Sequence, residues 1–211
     1  MHRPYNTKES EQSNLKNNSV LVELQINAVA ALSMEGDRSM IILKEKQGER
    51  TLPIVMSTRR AINLSLRSKF PFPMPVGATI ADAYNLMLMK FGITIDRVVI
   101  QTIQNGTFYC NVVGVLGNEE HVLDFVAAPD ALVIAITSAS SIWIEEELLE
   151  AQYMHKTGEN SFAININTLT RQMLEEALKQ AVASENYEAA SHIRDELSKR
   201  TPPQSDPVGT S

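Results

Sequence analysis

The sequence predicts an α+β protein in which antiparallel sheets pack against helices, followed by a C-terminal hairpin of two helices. Three observations indicate this. Apolar, β-rich segments come in groups separated by glycine turns, each group leads into a helical segment, and the last two helical segments carry apolar residues at every third or fourth position. This order of elements is typical of antiparallel sheets that bury one face under helices.

The first half of the main domain is predicted as a meander of three strands followed by two helices. Three prolines exclude a helix from the segment 70–77, which therefore separates the two helices. The second helix carries Leu86, Met87 and Phe91 on one face. The predicted elements are strands 20–32, 40–43 and 51–56 and helices 58–68 and 78–91.

The second half repeats the meander. Asn105-Gly106 predicts a tight hairpin turn, because both residues tolerate the positive φ that such a turn requires. The predicted elements are strands 95–103, 107–115 and 120–126, helix 129–137, strand 142–144 and helix 145–152.

The remaining segments differ in composition from this domain. The N-terminal segment is polar and has almost no large apolar residue, so it cannot bury enough surface to offset the entropy of ordering. The chain is therefore divided into a disordered tail (1–19), a main domain (20–152), a linker (153–167), a helical hairpin (168–200) and a second disordered tail (201–211).

The composition excludes several classes of protein. The hydrophobic fraction of 44% suffices for a core, and the net charge of −6 means that any nucleic-acid contact must be local. A single cysteine, Cys110, rules out a disulfide within the chain, and no apolar run is long enough for a membrane span. We therefore expect a cytoplasmic protein without membrane contact.

The C-terminal segment has two apolar stripes at helical spacing, interrupted at Ser184-Glu185-Asn186. Its sequences Leu-Glu-Glu-Ala-Leu-Lys-Gln-Ala, Asn-Tyr-Glu-Ala-Ala and Ile-Arg-Asp-Glu-Leu resemble the UVR motif, the hairpin by which subunits of the bacterial excision nuclease recognise each other. The alternative is a helix pair that packs only on its own domain.

The UVR resemblance implies a protein partner. That partner would be another UVR-motif protein or a different repair protein, bound through the hairpin. The residues expected to contact it are Tyr187, Ala190, Ile193, Arg194 and Asp195.

The main domain resembles the bifunctional nuclease family. The resemblance lies in the segment 40–56, in Asp-Arg-Val-Val-Ile at 96–100, in Asn-Gly-Thr-Phe-Tyr at 105–109, in Pro-Asp-Ala at 129–131 and in Glu-Glu-Leu-Leu at 146–149. It implies hydrolysis of phosphodiester bonds in DNA and RNA, and we expect a homo-oligomer.

A metal-dependent form of this reaction would need carboxylates for Mg²⁺ or Mn²⁺. The acids that match the family pattern, as metal ligands or base, are Asp82, Asp130, Glu146 and Glu147, the last three being the predicted metal ligands. The alternative is structural, because acids in the first turn of a helix stabilise its dipole.

The positive charge is concentrated in the first helix. Arg59, Arg60 and Arg67 recur at helical spacing, and the chain has no acid between Glu49 and Asp82. These arginines are predicted to contact the phosphate backbone of nucleic acid. The alternative is a solvated face that pairs with acids of a neighbouring subunit.

The chain departs from the family pattern at three places. Arg60 stands where the pattern has a glutamate, and Ala81 stands where it has a histidine. The pattern opens its third helix with Arg-Pro-Ser-Asp, and this chain has Ala127-Ala128-Pro129-Asp130 there. A non-catalytic adaptor or oligomerising domain in DNA repair or stress response is therefore the second hypothesis. A regulatory domain that binds a small anion at Arg59–Arg67 is a third.

Overall fold

The computed structural model describes residues 20–32, 37–69, 80–156, 162–163 and 165–200. The predicted tails and the proline-rich segment 70–77 lie outside the described residues. The α+β class and the C-terminal two-helix hairpin are confirmed, and the described strands and helices of the main domain follow the predicted order with end points that differ by a few residues.

The strands of the main domain are β1 (Leu21–Ala31), β2 (Arg38–Glu45), β3 (Thr51–Ser57), β4 (Ile93–Gln104), β5 (Thr107–Leu116), β6 (Glu119–Ala127) and β7 (Ser141–Glu145). Its helices are α1 (Thr58–Lys69), α2 (Ile80–Lys90), α3 (Ala128–Ser138) and α4 (Glu146–Gln152). The Asn105-Gly106 turn between β4 and β5 has φ angles of 51° and 79°, which confirms the predicted hairpin.

The two meanders join into one seven-stranded sheet with the order β3-β2-β1-β7-β4-β5-β6. The short strand β7 lies between them, antiparallel to β1 and parallel to β4. The sequence predicts the two meanders but not their union, because β7 is short and its partners are far away in the chain.

The core lies between one face of this sheet and the helices α1 and α3. Ile41 and Leu43 of β2 alternate with less buried residues and are completely inaccessible, as are Leu64 of α1 and Leu132 of α3. Burial of each such side chain contributes about 1.5–3 kcal/mol. These two helices are therefore fixed on the sheet by apolar contacts.

The helix α2 is oriented differently. Its buried residues are polar, Asp82 and Asn85, whereas Leu86, Met87 and Phe91 are exposed. The apolar face predicted from the sequence thus exists but points to solvent. The reason is that polar partners for Asp82 and Asn85 lie on α1 and α3.

The C-terminal hairpin consists of α5 (Arg171–Ala183) and α6 (Tyr187–Lys199). Side-chain oxygens of Thr170 and Asn186 cap the two helices by accepting hydrogen bonds from backbone N–H groups in their first turns. Leu174 of α5 and Ala190 of α6 are buried. A pair of this size depends on further contacts for stability.

In the described part of the chain, contacts with β2 and with the β4–β5 turn attach the hairpin to the main domain. Arg38 of β2 donates hydrogen bonds to Gln172 Oε1 at 2.7 Å and to Thr170 Oγ1 at 3.4 Å. The β4–β5 turn also lies against it, since the backbone of Leu169 fills the space that a β carbon at Gly106 would occupy.

The predicted linker 153–167 is partly described. It contains two short paired strands, β8 (His155–Lys156) and β9 (Phe162–Ala163), and a 3-10 turn (Ile166–Thr168). Among the described helices, none combines the length and the apolar character that crossing a bilayer requires.

Candidate functional site

The four predicted acids occupy first turns of three different helices. Asp82 lies in α2, Asp130 in α3, and Glu146 and Glu147 in α4. The first-turn positions of Asp130, Glu146 and Glu147 were predicted from the sequence. Three of the four acids are paired with arginines, and each pair occupies a different environment.

Asp82 forms a buried ion pair with Arg67. The two guanidinium nitrogens of Arg67 bind both carboxylate oxygens, one of them at 2.7 Å, and the side chains are only 6% and 10% exposed. Arg67 also donates to Thr137 Oγ1 of α3 at 3.2 Å. The hydrogen bond with Asp82 raises the pKa of Arg67 above its ordinary value. Arg67 therefore faces the interior, away from the surface predicted to hold phosphate.

Asp130 forms an exposed ion pair with Arg60. Arg60 Nη2 lies 3.3 Å from Asp130 Oδ1, and both side chains are about half exposed. Arg60 is in the first turn of α1, next to the exposed Arg59, and Asp130 is in the first turn of α3. The contact thus brings the N-terminal ends of two helices together at the surface.

These helix ends are electropositive. The first turn of α1 contains no acid, and the first N–H groups of α3 have no side-chain cap, because its N-terminal flanking residue is Ala127. Helix N-termini carry a partial positive charge and unpaired N–H donors that favour anions. Of the residues predicted for catalysis and for phosphate contact, Arg60 and Asp130 touch each other on an accessible surface, and the exposed Arg59 precedes Arg60 in α1.

Glu146 belongs to a third group, centred on Arg50. Arg50, the residue before β3, binds both carboxylate oxygens of Glu146, at 2.7 and 2.9 Å, and also contacts Glu45 and Glu150. These hydrogen bonds lower the pKa of Glu45 and of Glu146 below the usual value. The group ties the β2–β3 hairpin to α4. Glu147, next to Glu146, is exposed.

The predicted metal ligands do not fit a divalent cation. Asp130 and Glu146 are each bound by a different arginine. In the part of the chain that the structure describes, no three His, Cys, Asp or Glu side chains are arranged to hold a metal ion. Mg²⁺ or Mn²⁺ therefore stays a prediction from the family resemblance.

The predicted partner contacts on α6 are of two kinds. Tyr187 is 67% exposed, and the side chains of Arg194 and Asp195 are largely exposed and lie 3.8 Å apart. Ala190 is buried and Ile193 is half-buried, so these two residues are less accessible to a partner than the other three.

The structural roles of two arginines are not predicted by the sequence. Arg50 binds acids from β2 and α4, and Arg200 binds the backbone carbonyls of the 3-10 turn and of Leu169. Both sets of contacts join segments that are distant in the chain. Only the position of Arg200 at the end of a helix, where cations are favoured, is visible in the sequence.

The buried pair can be tested by comparing two arginine variants. We expect Arg67→Met to lower the free energy of unfolding by about 3 kcal/mol, because the carboxyl group of Asp82 stays buried after the guanidinium is removed. The double variant Arg67→Met/Asp82→Leu should recover much of this loss. Arg60→Met, in the exposed pair, should change it by less than about 1 kcal/mol. Urea unfolding gives these values, and equal effects of the two single variants would contradict the assignment.

The Arg50 group predicts a dependence of stability on pH. The pKa values of Glu45 and Glu146 are lower in the folded than in the unfolded state, where the ordinary value is 4.5. The stabilisation is therefore complete above about pH 4.5 and is lost as the pH falls through the folded pKa values. Urea unfolding between pH 6 and 3 should show a shallower decline for Arg50→Met than for the unchanged protein. The control Arg171→Met, in an exposed pair with Glu175, should keep the original slope.

Comparison with known proteins gives the chain a family. The model of the bifunctional nuclease domain matches residues 41–157, and the model of the UvrB/uvrC motif matches residues 172–199. A search of curated proteins found no match. The first match covers more than half of the chain, from β2 through β8, and the second covers most of α5 and α6. The chain therefore belongs to the bifunctional nuclease domain family and carries a UVR motif in its C-terminal hairpin.

Proposed function

We propose that this protein binds DNA or RNA at the adjoining N-terminal ends of α1 and α3 and hydrolyses its phosphodiester bonds. The observation that supports this is the exposed Arg60–Asp130 contact, which joins two electropositive helix ends beside Arg59. Membership of the nuclease family supplies the class of substrate. We place this activity in the cytoplasm.

Binding rests on the charges at this surface. Arg59 and Arg60 neutralise a backbone phosphate, and the partial positive charge at the N-terminus of α3 favours the anion. The phosphate competes with Asp130 for Arg60. Because the Arg60–Asp130 pair is half exposed, its separation requires little free energy. The local cationic surface thus compensates for the net charge of −6.

When the phosphate displaces Asp130 from Arg60, the Asp130 carboxylate becomes available as the general base for hydrolysis. Its carboxylate accepts a proton from a water molecule, the water oxygen forms a bond to phosphorus, and the bond from phosphorus to the leaving sugar oxygen breaks. That oxygen takes a proton from solvent. Arg59 and Arg60 stabilise the charge that develops on the phosphate. Asp82 and Glu146 act as positioning residues, since their arginines hold α2 and α4 in place, and Glu147 stays a prediction from the sequence.

A non-catalytic adaptor is the second candidate. The observation that favours it is that Asp82 and Glu146, two of the four predicted acids, are held by Arg67 and Arg50. In this alternative the main domain is a platform, and the UVR hairpin binds a repair or stress protein through Tyr187 and its neighbours. The two candidates share the hairpin function and differ in whether bonds are cleaved.

The nuclease proposal predicts cleavage of single-stranded DNA or RNA by the purified chain. Reactions contain Mg²⁺, Mn²⁺ or a chelator, which also tests the metal prediction. Asp130→Asn should reduce the rate about a hundredfold or more, and Arg60→Ala should weaken binding and reduce its dependence on salt. Arg171→Ala is the matched control, because it removes another exposed, paired arginine outside the site. A folded protein that binds but does not cleave in any condition would support the adaptor instead.

The hairpin proposal predicts that partner binding depends on the exposed residues of α6. Tyr187→Ala/Arg194→Ala should abolish pull-down of a UVR-motif protein from the source organism, because these side chains face solvent and are free to contact it. Lys199→Ala, an exposed cation at the end of the same helix, is the control. Unchanged recovery with the double variant, checked for helix content by circular dichroism, would refute the assignment.

A further inference from the structure

A groove lies between the C-terminal hairpin and the main domain. Its volume is about 730 Å³, which falls within the range of roughly 300–1,000 Å³ that is typical of ligand sites. One wall is formed by α5 and Leu169, and the other by the start of β2 and the end of β3. Met56 of β3 and the α5 residues Met173 and Ala177 make part of this lining apolar.

The groove adjoins the surface that we propose for phosphate. Ser57, which lines the groove, is followed by Thr58, the first residue of α1. The backbone N–H of Thr58 donates to Asp37 O at 3.1 Å, and the hydroxyl oxygens of Thr58 and Ser39 are 3.0 Å apart. The start of β2 thus connects the groove to the first turn of α1, which contains Arg60.

The helix α3 begins at the same end of the sheet. Ala127, the last residue of β6, pairs with Tyr109 near the start of β5. The turn before β5 lies against the backbone of Leu169, which also lines the groove. The groove is therefore at the same end of the domain as both helix ends that are proposed to bind phosphate.

Arg38 contributes a positive charge to the groove. Its guanidinium donates to two neutral oxygens, Gln172 Oε1 and Thr170 Oγ1. Among the ion pairs of the described residues, none includes Arg38. A guanidinium has more N–H donors than these two bonds use. Arg38 can therefore bind a phosphate without losing its contacts with the hairpin.

The other charges in the groove indicate which part of a nucleic acid it suits. Asp37 and Glu176 line the groove and are exposed. Their carboxylates repel a phosphate backbone, but carboxylates accept hydrogen bonds from the amino groups of bases. Met173 and Ala177 offer an apolar surface to the face of a base. A base therefore suits the walls of the groove, and its phosphate suits Arg38.

We propose that the groove binds one unpaired nucleotide of the strand whose neighbouring phosphate lies at Arg60, an inference that rests on the proposed function. Arg38 contacts the phosphate of this nucleotide, and the base lies against Met173 with its amino group at Glu176. A base in a duplex must first be unpaired and unstacked, so the groove favours single strands. The UVR hairpin then uses α5 for nucleic acid, and α6 stays available for a protein.

Fluorescence anisotropy with two single strands tests the proposal. One strand is a short oligodeoxycytidylate, and the other has the same sugar–phosphate backbone and length but no bases. The full chain should bind the first strand about tenfold more tightly. Ala177→Phe, which fills the groove, should abolish this preference and leave the affinity for the abasic strand unchanged. Ala183→Phe is the matched control, because Ala183 is exposed on α5 and does not line the groove.

The possible results separate this inference from the proposed function. Equal affinity of the unchanged chain for the two strands would overturn the groove assignment alone, and so would equal loss of the preference in Ala177→Phe and Ala183→Phe. Binding of neither strand would overturn both proposals. If Ala177→Phe lost a UVR-motif protein in a pull-down but kept its preference for bases, the groove would belong to a protein partner and the inference would be wrong.

Photo-cross-linking of the unchanged chain provides a test that does not depend on the folding of a variant. An oligonucleotide with one 4-thiothymidine should label α5 within residues 172–180, identified by mass spectrometry of peptides. Labelling confined to the main domain would contradict the proposal.

The role of Arg38 can be tested by two substitutions. Arg38→Met should weaken the binding of both strands, whereas Arg38→Lys should keep most of the affinity, because it preserves the positive charge near the phosphate. Equal losses in the two variants would contradict a contact between Arg38 and phosphate.

Discussion

The ion pair between Arg67 and Asp82 determines how the helical layer is arranged. Arg67 bridges α2 and α3 through Asp82 and Thr137, and Asn85 adds a hydrogen bond to the Thr137 carbonyl. Breaking a buried ion pair by removing one partner is strongly unfavourable, so α2 cannot rotate without a large loss. The polar side of α2 is therefore held inward and its apolar side outward. Orientation, rather than net stability, is what such a pair contributes to this fold.

Arginine–carboxylate pairs divide the predicted site into structural and accessible parts. The Arg67 and Arg50 groups connect elements of the domain, and their geometry is bidentate and partly or fully shielded. The Arg60 contact is single and exposed. Arginine and carboxylate side chains thus hold elements of the domain together in the Arg67 and Arg50 groups. In the Arg60 contact, the proposed phosphate ligand can replace the carboxylate. Burial decides between these roles, because an incoming phosphate can replace a carboxylate only where solvent already reaches the arginine.

The sequence predicts what local physics determines. Alternation in β2 and the Asn105-Gly106 turn act over a few residues, and the elements they predict are present. The union of the two meanders, the inversion of α2 and the partners of the acids depend on contacts between distant segments. Arg50 and Glu146 are 96 positions apart, and nothing near either residue indicates the other. The site was therefore predictable in its residue types but not in its grouping.

The position of β7 has a consequence for how the chain folds. Each meander can form from neighbouring segments, but until β7 is in place β1 and β4 are both unpaired edges in the middle of the future sheet. Strand pairing across such long separations is slow, because loop-closure entropy opposes it. During synthesis both meanders leave the ribosome with unpaired strand edges before the five residues of β7 are made. This short strand, which contributes little area of its own, therefore sets the period during which the nascent protein is most prone to aggregate.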